Sequence, residues 1–273
     1  MPITQDTIIA GGLTTYKYIK ATTATPVTFR PISTWSLNGS TGQGTFNTTL
    51  NGVTLDSTAG QIAGQIPFTD ATLPVVNYLS NFNIVTAING TFEIYDRLWH
   101  NGGITITSTT AQTITSPTWP TRDNNNSSNG EGVLLALEVS ATTGAGTPTI
   151  TVSYTNELGT AGRTGTNILV TSATSPVGSF IPISLQGSDK GVRSVQSITL
   201  SATWTSGTIN LVAYRPLAGG VLVGNAGTAL DPLTGGVSTK CWNGTVPFLA
   251  CTPGAGTAFT VNSFVQFTQI DPT

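Results

Sequence analysis

The sequence predicts an all-β protein with a β-sandwich or jelly-roll-like core and extended N- and C-terminal segments. Four runs between Gly132 and Pro216, residues 133–139, 149–154, 197–204 and 208–214, alternate apolar with polar side chains. A period of two places successive residues on opposite faces, so one face packs a core while the other meets water. The runs are rich in β-branched and aromatic residues, which suit a pleated, half-buried surface. Short turn clusters separate them, with neither a solenoid repeat nor the crossover helices of a parallel sheet.

Three regions follow in chain order: 1–64 as an N-terminal arm with short hairpins, 65–216 as the sandwich core, and 217–273 as a C-terminal extension with closing strands. In the arm, 16–20 and 27–29 are candidate strands ordered by the core or by a neighbouring subunit, because terminal segments are seldom fixed unless something holds them. Asn51-Gly52, between 46–50 and 53–55, is a strong hairpin signal, and Asn89-Gly90 repeats it between 83–88 and 91–96. Residues 73–79 carry a proline near their start and an apolar side at Val75, Tyr78 and Leu79, which makes them the best helix candidate. Alternation at 104–107 suggests another short strand. The polar stretch 123–130 can bury almost nothing and is expected as an exposed loop that a partner could touch. Thr205-Ser206-Gly207 suits a bulged hairpin between the last two core runs. Beyond Pro216 glycine loosens the chain until 246–250 and the closing strand 263–268, which turns Phe264 or Val265 inward.

Charged residues make up 8% of the 273 positions, against roughly 25% in an average soluble domain. Ten Lys plus Arg against twelve Asp plus Glu give a formal net charge of −2, which offers no basic field to nucleic acid or an anionic membrane. No apolar run approaches the roughly 18 residues of a membrane span. The N-terminus lacks the basic start of a secretory signal, which favours folding in a cytosol. A near-neutral surface associates readily, so the composition points to life within an assembly. Cys241 and Cys251 could close a small loop as a disulfide, but two free thiols fit a reducing compartment better. They supply only half a zinc shell, with no histidine near them.

Chemistry is scarce. The single histidine, His100, would have to serve any Ser-His-Asp arrangement, yet nothing marks its nucleophile or carboxylate, so a structural role is expected. Glu93 with Glu138 is a formal glycosidase pair without an aromatic-rich face beside it. Asp123 and the following asparagines offer oxygen ligands but not the alternating spacing of a calcium loop. Residues 159–165 are glycine-spaced without the Gly-Lys-Ser/Thr ending of a phosphate cradle, and read as a β-turn loop. No catalytic, cofactor-binding or metal-ligating residue is assigned. Arg97, Arg163, Arg193 and Arg215 lie at strand ends, where they either pair locally with the scarce acids or cross a subunit boundary, a place where arginine is enriched. These four, with Asn124, Asn125 and Asn126, are the candidate interface residues.

Tyr95-Asp96-Arg97-Leu98-Trp99-His100-Asn101-Gly102-Gly103 followed by Trp119-Pro120-Thr121-Arg122-Asp123, then Gly162-Arg163-Thr164-Gly165 and Gly191-Val192-Arg193, resemble a family of virion structural proteins of tailed bacteriophages. The resemblance covers roughly residues 60 to 250 and implies a particle component, with no catalytic residue carried over. Within that class a head decoration, or cement, protein is favoured. It would be a homotrimer on the major capsid protein at the capsid surface, made in the host cytoplasm, with pliable termini draped over neighbours. Low charge and abundant hydroxyls suit wide, wet contacts repeated many times. The alternatives are a tail, fibre or baseplate component with 123–130 as a receptor-contacting tip and, from another class, a secreted carbohydrate-binding β-sandwich using an exposed Trp119 or Trp242. Neither nucleic acid nor membrane is expected as a partner.

Overall fold

A computed structural model describes residues 11–22, 25–224, the backbone of 227–230, and 239–271. In chain order the strands are β1 (Leu13–Ala21), β2 (Ile32–Ser33), β3 (Asn38–Gly39), β4 (Val53–Thr54), β5 (Val76–Val85), β6 (Gly90–His100), β7 (Gln112–Thr113) and β8 (Leu134–Ala141). They continue as β9 (Ile150–Asn156), β10 (Arg163–Asn167), β11 (Phe180–Ser184), β12 (Val192–Leu200), β13 (Thr208–Leu222), β14 (Gly227–Leu230), β15 (Lys240–Cys241), β16 (Pro247–Pro253) and β17 (Thr260–Ile270). No helix occurs among the described residues, and the chain is all-β.

The strands form two sheets. A six-stranded sheet runs β14-β5-β17-β1-β3, with β15 also on β5, and an 11-stranded sheet runs β2-β16-β6-β13-β8-β11-β10-β9-β12-β7, with β4 also on β6. The two ends of the described chain zip together: β1 pairs antiparallel with β17 from Leu13↔Thr268 to Ala21↔Thr260. The stretch 16–20 is therefore an internal strand, whereas 27–29 is a turn with Phe29 at φ 55. In β17 Val265 points inward and Phe264 outward, one of the two phases its alternation allows.

The 11-stranded sheet curls over its own core. Inward residues of β8, β9, β11, β12 and β13, among them Leu135, Leu137, Ile150, Val152, Ile181, Ile198 and Leu211, meet Trp99, Trp119 and Trp204 there. A second core fills the space between the two sheets, with Tyr18, Phe82, Ile84, Val265 and Phe267 on one side and Phe92, Ile94, Leu217 and Leu249 on the other. A third, aromatic cluster gathers Trp35, Tyr95, Phe180, Tyr214 and Phe248. The long strands β6 and β13 feed all three clusters. Register shifts between Ala213 and Tyr214 and between Pro216 and Ala218 re-phase β13 against β6 along the way. A bulge of this kind turns the face a strand presents without ending its ladder.

Several local signals resolve differently in three dimensions. Residues 73–79 are not helical: β5 begins at Val76 and binds β17 over nine pairs, which satisfies its backbone while burying Tyr78 and Leu79. Asn89-Gly90 does not close a hairpin, because β5 lies in one sheet and β6 in the other; the dipeptide carries the chain between them. Glycine is required at position 90, at φ 152, since a Cβ there would stand 2.0 Å from the Thr252 carbonyl oxygen on the neighbouring β16. Asn51-Gly52 likewise caps the end of β6, where Asn51 O accepts from Trp99 Nε1 at 2.9 Å and residues 46–50 form no strand. Thr205-Ser206-Gly207 joins β12 to β13, which are not neighbours in the sheet. Residues 104–107 have no partner strand; the Gln112 side chain takes its place, accepting from Thr105 N at 2.7 Å and donating to Thr105 O at 3.0 Å. Of residues 159–165, read as a turn loop, 159–162 do turn a β9–β10 hairpin, whereas 163–165 belong to β10 and pair with β9.

Cys241 and Cys251 are free and buried in the second core. Burial pushes the Cys241 thiol up to about 12 and raises Cys251 as well. Neither thiol is expected to react with a disulfide reagent at pH 8 in the native protein, and both should react in denaturant, because only a thiolate attacks. Reaction of either residue at the rate of an unfolded peptide would contradict this burial.

Candidate functional site

Seven charged side chains lie buried among the described residues: Lys20, Asp96, Arg97, Arg122, Asp123, Glu138 and Arg215. In a chain with so few charges this decides what the surface can be. Arg97 donates from Nη1 to Glu138 Oε2 at 2.6 Å with both side chains fully enclosed, and its guanidinium stacks 4.5 Å from the centroid of Trp35. Its Nε donates to His100 Nδ1 at 3.1 Å, which assigns the imidazole proton to Nε2. Burial, reinforced by the Arg97 charge, lowers His100 to about 2, so the ring is neutral and structural. Glu138 is committed to Arg97 and sealed from solvent, so it does not face Glu93 across a substrate cleft. Arg122 grips Asp96 through Nε at 3.0 Å and Nη2 at 3.2 Å, and Arg215 reaches Lys240 O at 3.1 Å. Arg97 and Arg215, read either as locally paired with an acid or as crossing a subunit boundary, are thus interior residues. Desolvating them outside such pairings would cost several kcal/mol each.

The other candidates lie on the surface. Arg163 holds Asp189 through Nε at 2.8 Å and Nη2 at 3.0 Å, and this guanidinium, helped by Asn156 and Tyr154, brings the carboxyl down to about 2. Asn124, Asn125 and Asn126 form the exposed tip of the polar loop. That loop is far from loose. Asp123 is buried at its base, and its Oδ1 accepts from Asn125 N at 2.9 Å and Ser127 N at 2.7 Å. Oδ2 accepts from Ser127 Oγ at 2.7 Å, Gly130 N at 3.0 Å and Glu131 N at 3.2 Å. One carboxylate therefore organises the whole turn, and its lone pairs are engaged by N–H and O–H donors instead of a cation. Trp242 Nε1 ties the loop to the β15–β16 connection by donating to Asp123 O at 3.0 Å. An aspartate followed by asparagines and serines is the signature of side chain to backbone turns, so this feature was open to sequence reasoning.

The loop separates two clefts. On one side Asn126 joins Leu73, Val75, Thr121 and Trp242 around about 310 Å³. Trp242 is half-buried there, with Lys240 Nζ 5.5 Å from its ring centroid. Trp119, the other tryptophan considered for an exposed platform, is buried and donates to Val192 O at 2.7 Å. On the other side Ser128 joins Ser116, Thr118, Thr155, Arg193 and Ser194 around another cleft of about 310 Å³. Arg193 owes its position to an irregularity that no periodicity reveals: β12 shifts register against β9 between Val192 and Ser194. No cluster of three or more His, Cys, Asp or Glu side chains suited to a metal occurs among the described residues.

No family model matches the chain, and no curated protein matches it. Among solved structures it is similar to VP2 of infectious bursal disease virus in a subviral particle, at 11% identity over 95% of this chain and 80% of that one, with a TM-score of 0.19. It is also similar to T=1 particles derived from infectious bursal virus, at 9% identity over 95% and 78% with a TM-score of 0.17. VP1 of trichodysplasia spinulosa-associated polyomavirus follows at 10% identity over 96% and 95%, with a TM-score of 0.11. Likenesses this slight carry no argument, so the reading of this chain rests on its own residues.

Proposed function

We propose that the chain is a structural component of a tailed phage virion: a decoration protein that lies on the outer head shell, clusters as a homotrimer and stabilises the major capsid protein lattice. The resemblance in the sequence supplies the class. The observation that carries the role is the inward placement of charge. With seven of the 22 charged side chains enclosed, the exterior carries few charges among many hydroxyls and amides, and such a surface makes wide, wet, weakly charged contacts. Each contact is modest, and many copies on one shell reinforce each other. The outer face of the six-stranded sheet adds apolar area, since Phe264 and Val85 are about half exposed on the same side. Arg163, Arg193 and the tip Asn124, Asn125 and Asn126 are the polar residues offered to a neighbour.

Separated heads and tails, assayed by quantitative mass spectrometry, test the proposal. The chain is expected with heads at a fixed ratio to the major capsid protein, and heads lacking it should release DNA at lower temperature. Recovery with tails alone, or with no particle fraction, would overturn it. A second reading, a tail or fibre component meeting the host, is favoured by one feature: a loop held rigid by Asp123 with a cleft on each flank.

A further inference from the structure

We propose that the cleft beside Arg193 binds an acidic sugar, with the ligand carboxylate on the Arg193 guanidinium and its hydroxyls on the surrounding serines and threonines. The inference goes beyond the particle role and stands whether the chain belongs to head or tail.

The first observation is a missing partner. Arg30, Arg97, Arg122, Arg163 and Arg215 each make hydrogen bonds within the fold, three of them to a carboxylate within 3.2 Å. Arg193 alone among the described arginines has neither hydrogen bond nor ion pair. It is exposed, so it does not need one for the protein to fold. In a chain this poor in charge, an unpaired guanidinium at the rim of a cleft leaves its anion to come from outside.

The second observation is how the residue is delivered. On β12, Val192 pairs with Asn156 and Ser194 with Thr155, so Arg193 is the extra residue of a bulge and has no cross-strand partner. Bulges re-aim side chains and occur next to binding sites. Gly159 in the β9–β10 turn, at φ 84, borders the same cleft; a Cβ on it would stand 3.5 Å from Arg193 Nη1.

The third is the lining. Ser116, Thr118, Ser128, Thr155 and Ser194 surround the guanidinium with hydroxyls. Ser116 Oγ accepts from Val195 N at 2.9 Å and Thr155 Oγ1 accepts from Gln196 Nε2 at 3.2 Å, so both hydroxyl protons remain free to donate. A guanidinium recognises a carboxylate with two parallel N–H donors. Hydroxyls that both donate and accept match the hydroxyls of a sugar ring. No aromatic ring lines this cleft, so a neutral sugar would lack both a stacking face and an anchor. A volume of about 310 Å³ lies at the lower end of small-ligand sites, which suits a single sugar residue.

Backbone-amide NMR of the full chain, titrated with methyl glucuronide, methyl glucoside, acetate and sulfate, tests the proposal, with Arg193→Gln and Arg193→Lys as variants. Methyl glucuronide is expected to give saturable shifts confined to the amides of Thr155, Gly159, Arg193 and Ser194, with a Kd in the millimolar range. The glucoside should bind at least tenfold more weakly. Arg193→Gln should abolish the shifts, and Arg193→Lys, which keeps charge but loses the fork, should weaken binding about tenfold. Both variants alter an exposed side chain, and thermal melts equal to the parent's will show that they fold. Equal responses to glucuronide and glucoside, responses to acetate or sulfate as tight as to glucuronide, unchanged binding by Arg193→Gln, or no saturable shift at all would each overturn it.

Discussion

Glu138→Leu is expected to destabilise the protein by about 3–5 kcal/mol, the usual cost of leaving one member of an enclosed ion pair alone. Arg97 would then sit among Trp35, Phe46 and Phe248 with His100 as its remaining hydrogen-bond acceptor and no counter-charge. The double variant Arg97→Met with Glu138→Leu should recover most of that loss and could exceed the parent. Desolvation of both ions is costly, and Arg97 Nη2 and Glu138 Oε1 find no protein partner to offset it. Urea unfolding of the two single variants and the double, read as shifts in midpoint at constant slope, separates these terms. A Glu138→Leu variant within about 1 kcal/mol of the parent would show that the pair does not organise the aromatic cluster.

Falling pH should destabilise the protein through His100. The imidazole is held near 2 in the folded chain against 6.5 when unfolded, because burial and the Arg97 charge both disfavour the cation. The unfolded chain therefore binds a proton that the folded chain refuses. The stability attached to this group is complete above pH 6.5 and falls as pH drops towards 2, by about 1.4 kcal/mol per unit. Asp189 acts in the same sense only below its ordinary 3.8, and Glu93, whose carboxyl burial raises, acts in the opposite sense. Because the sequence contains one histidine, the loss of stability as pH falls from 6.5 to about 5 is assigned to it, with Glu93 opposing that loss. His100→Gln, which keeps an acceptor for Arg97, is expected to flatten stability across that window. Parallel pH profiles for parent and variant would refute the assignment.

The legible parts of the site were those with local causes. Asp123 followed by asparagine and serine announces a turn bonded to its own carboxylate, and the structure places all five bonds there. Arg193 stood in the sequence as one of four candidate arginines, and nothing local set it apart from the others, since the register shift between β12 and β9 at this residue is a property of the pairing. Nor could Arg97 be told from Arg163. Both read as strand-end arginines in the sequence, yet Arg97 lies within β6 and Arg163 begins β10; Glu138, reached across the 11-stranded sheet, holds Arg97 in the interior while Asp189 keeps Arg163 at the surface.

By itself the sequence determined that this chain is built of strands, which runs form most of the long ones, and how little charge it has for an exterior. Alternation is a property of neighbouring residues, so it survives whatever the strand meets. Tertiary structure decided the partners: that β1 closes against β17, that Asn89-Gly90 bridges two sheets instead of folding one strand back on the next, and that nearly a third of the charged side chains lie inside. Pairing and burial are set by which distant apolar faces can cover each other, and a turn dipeptide specifies backbone angles without specifying the strand that follows it home.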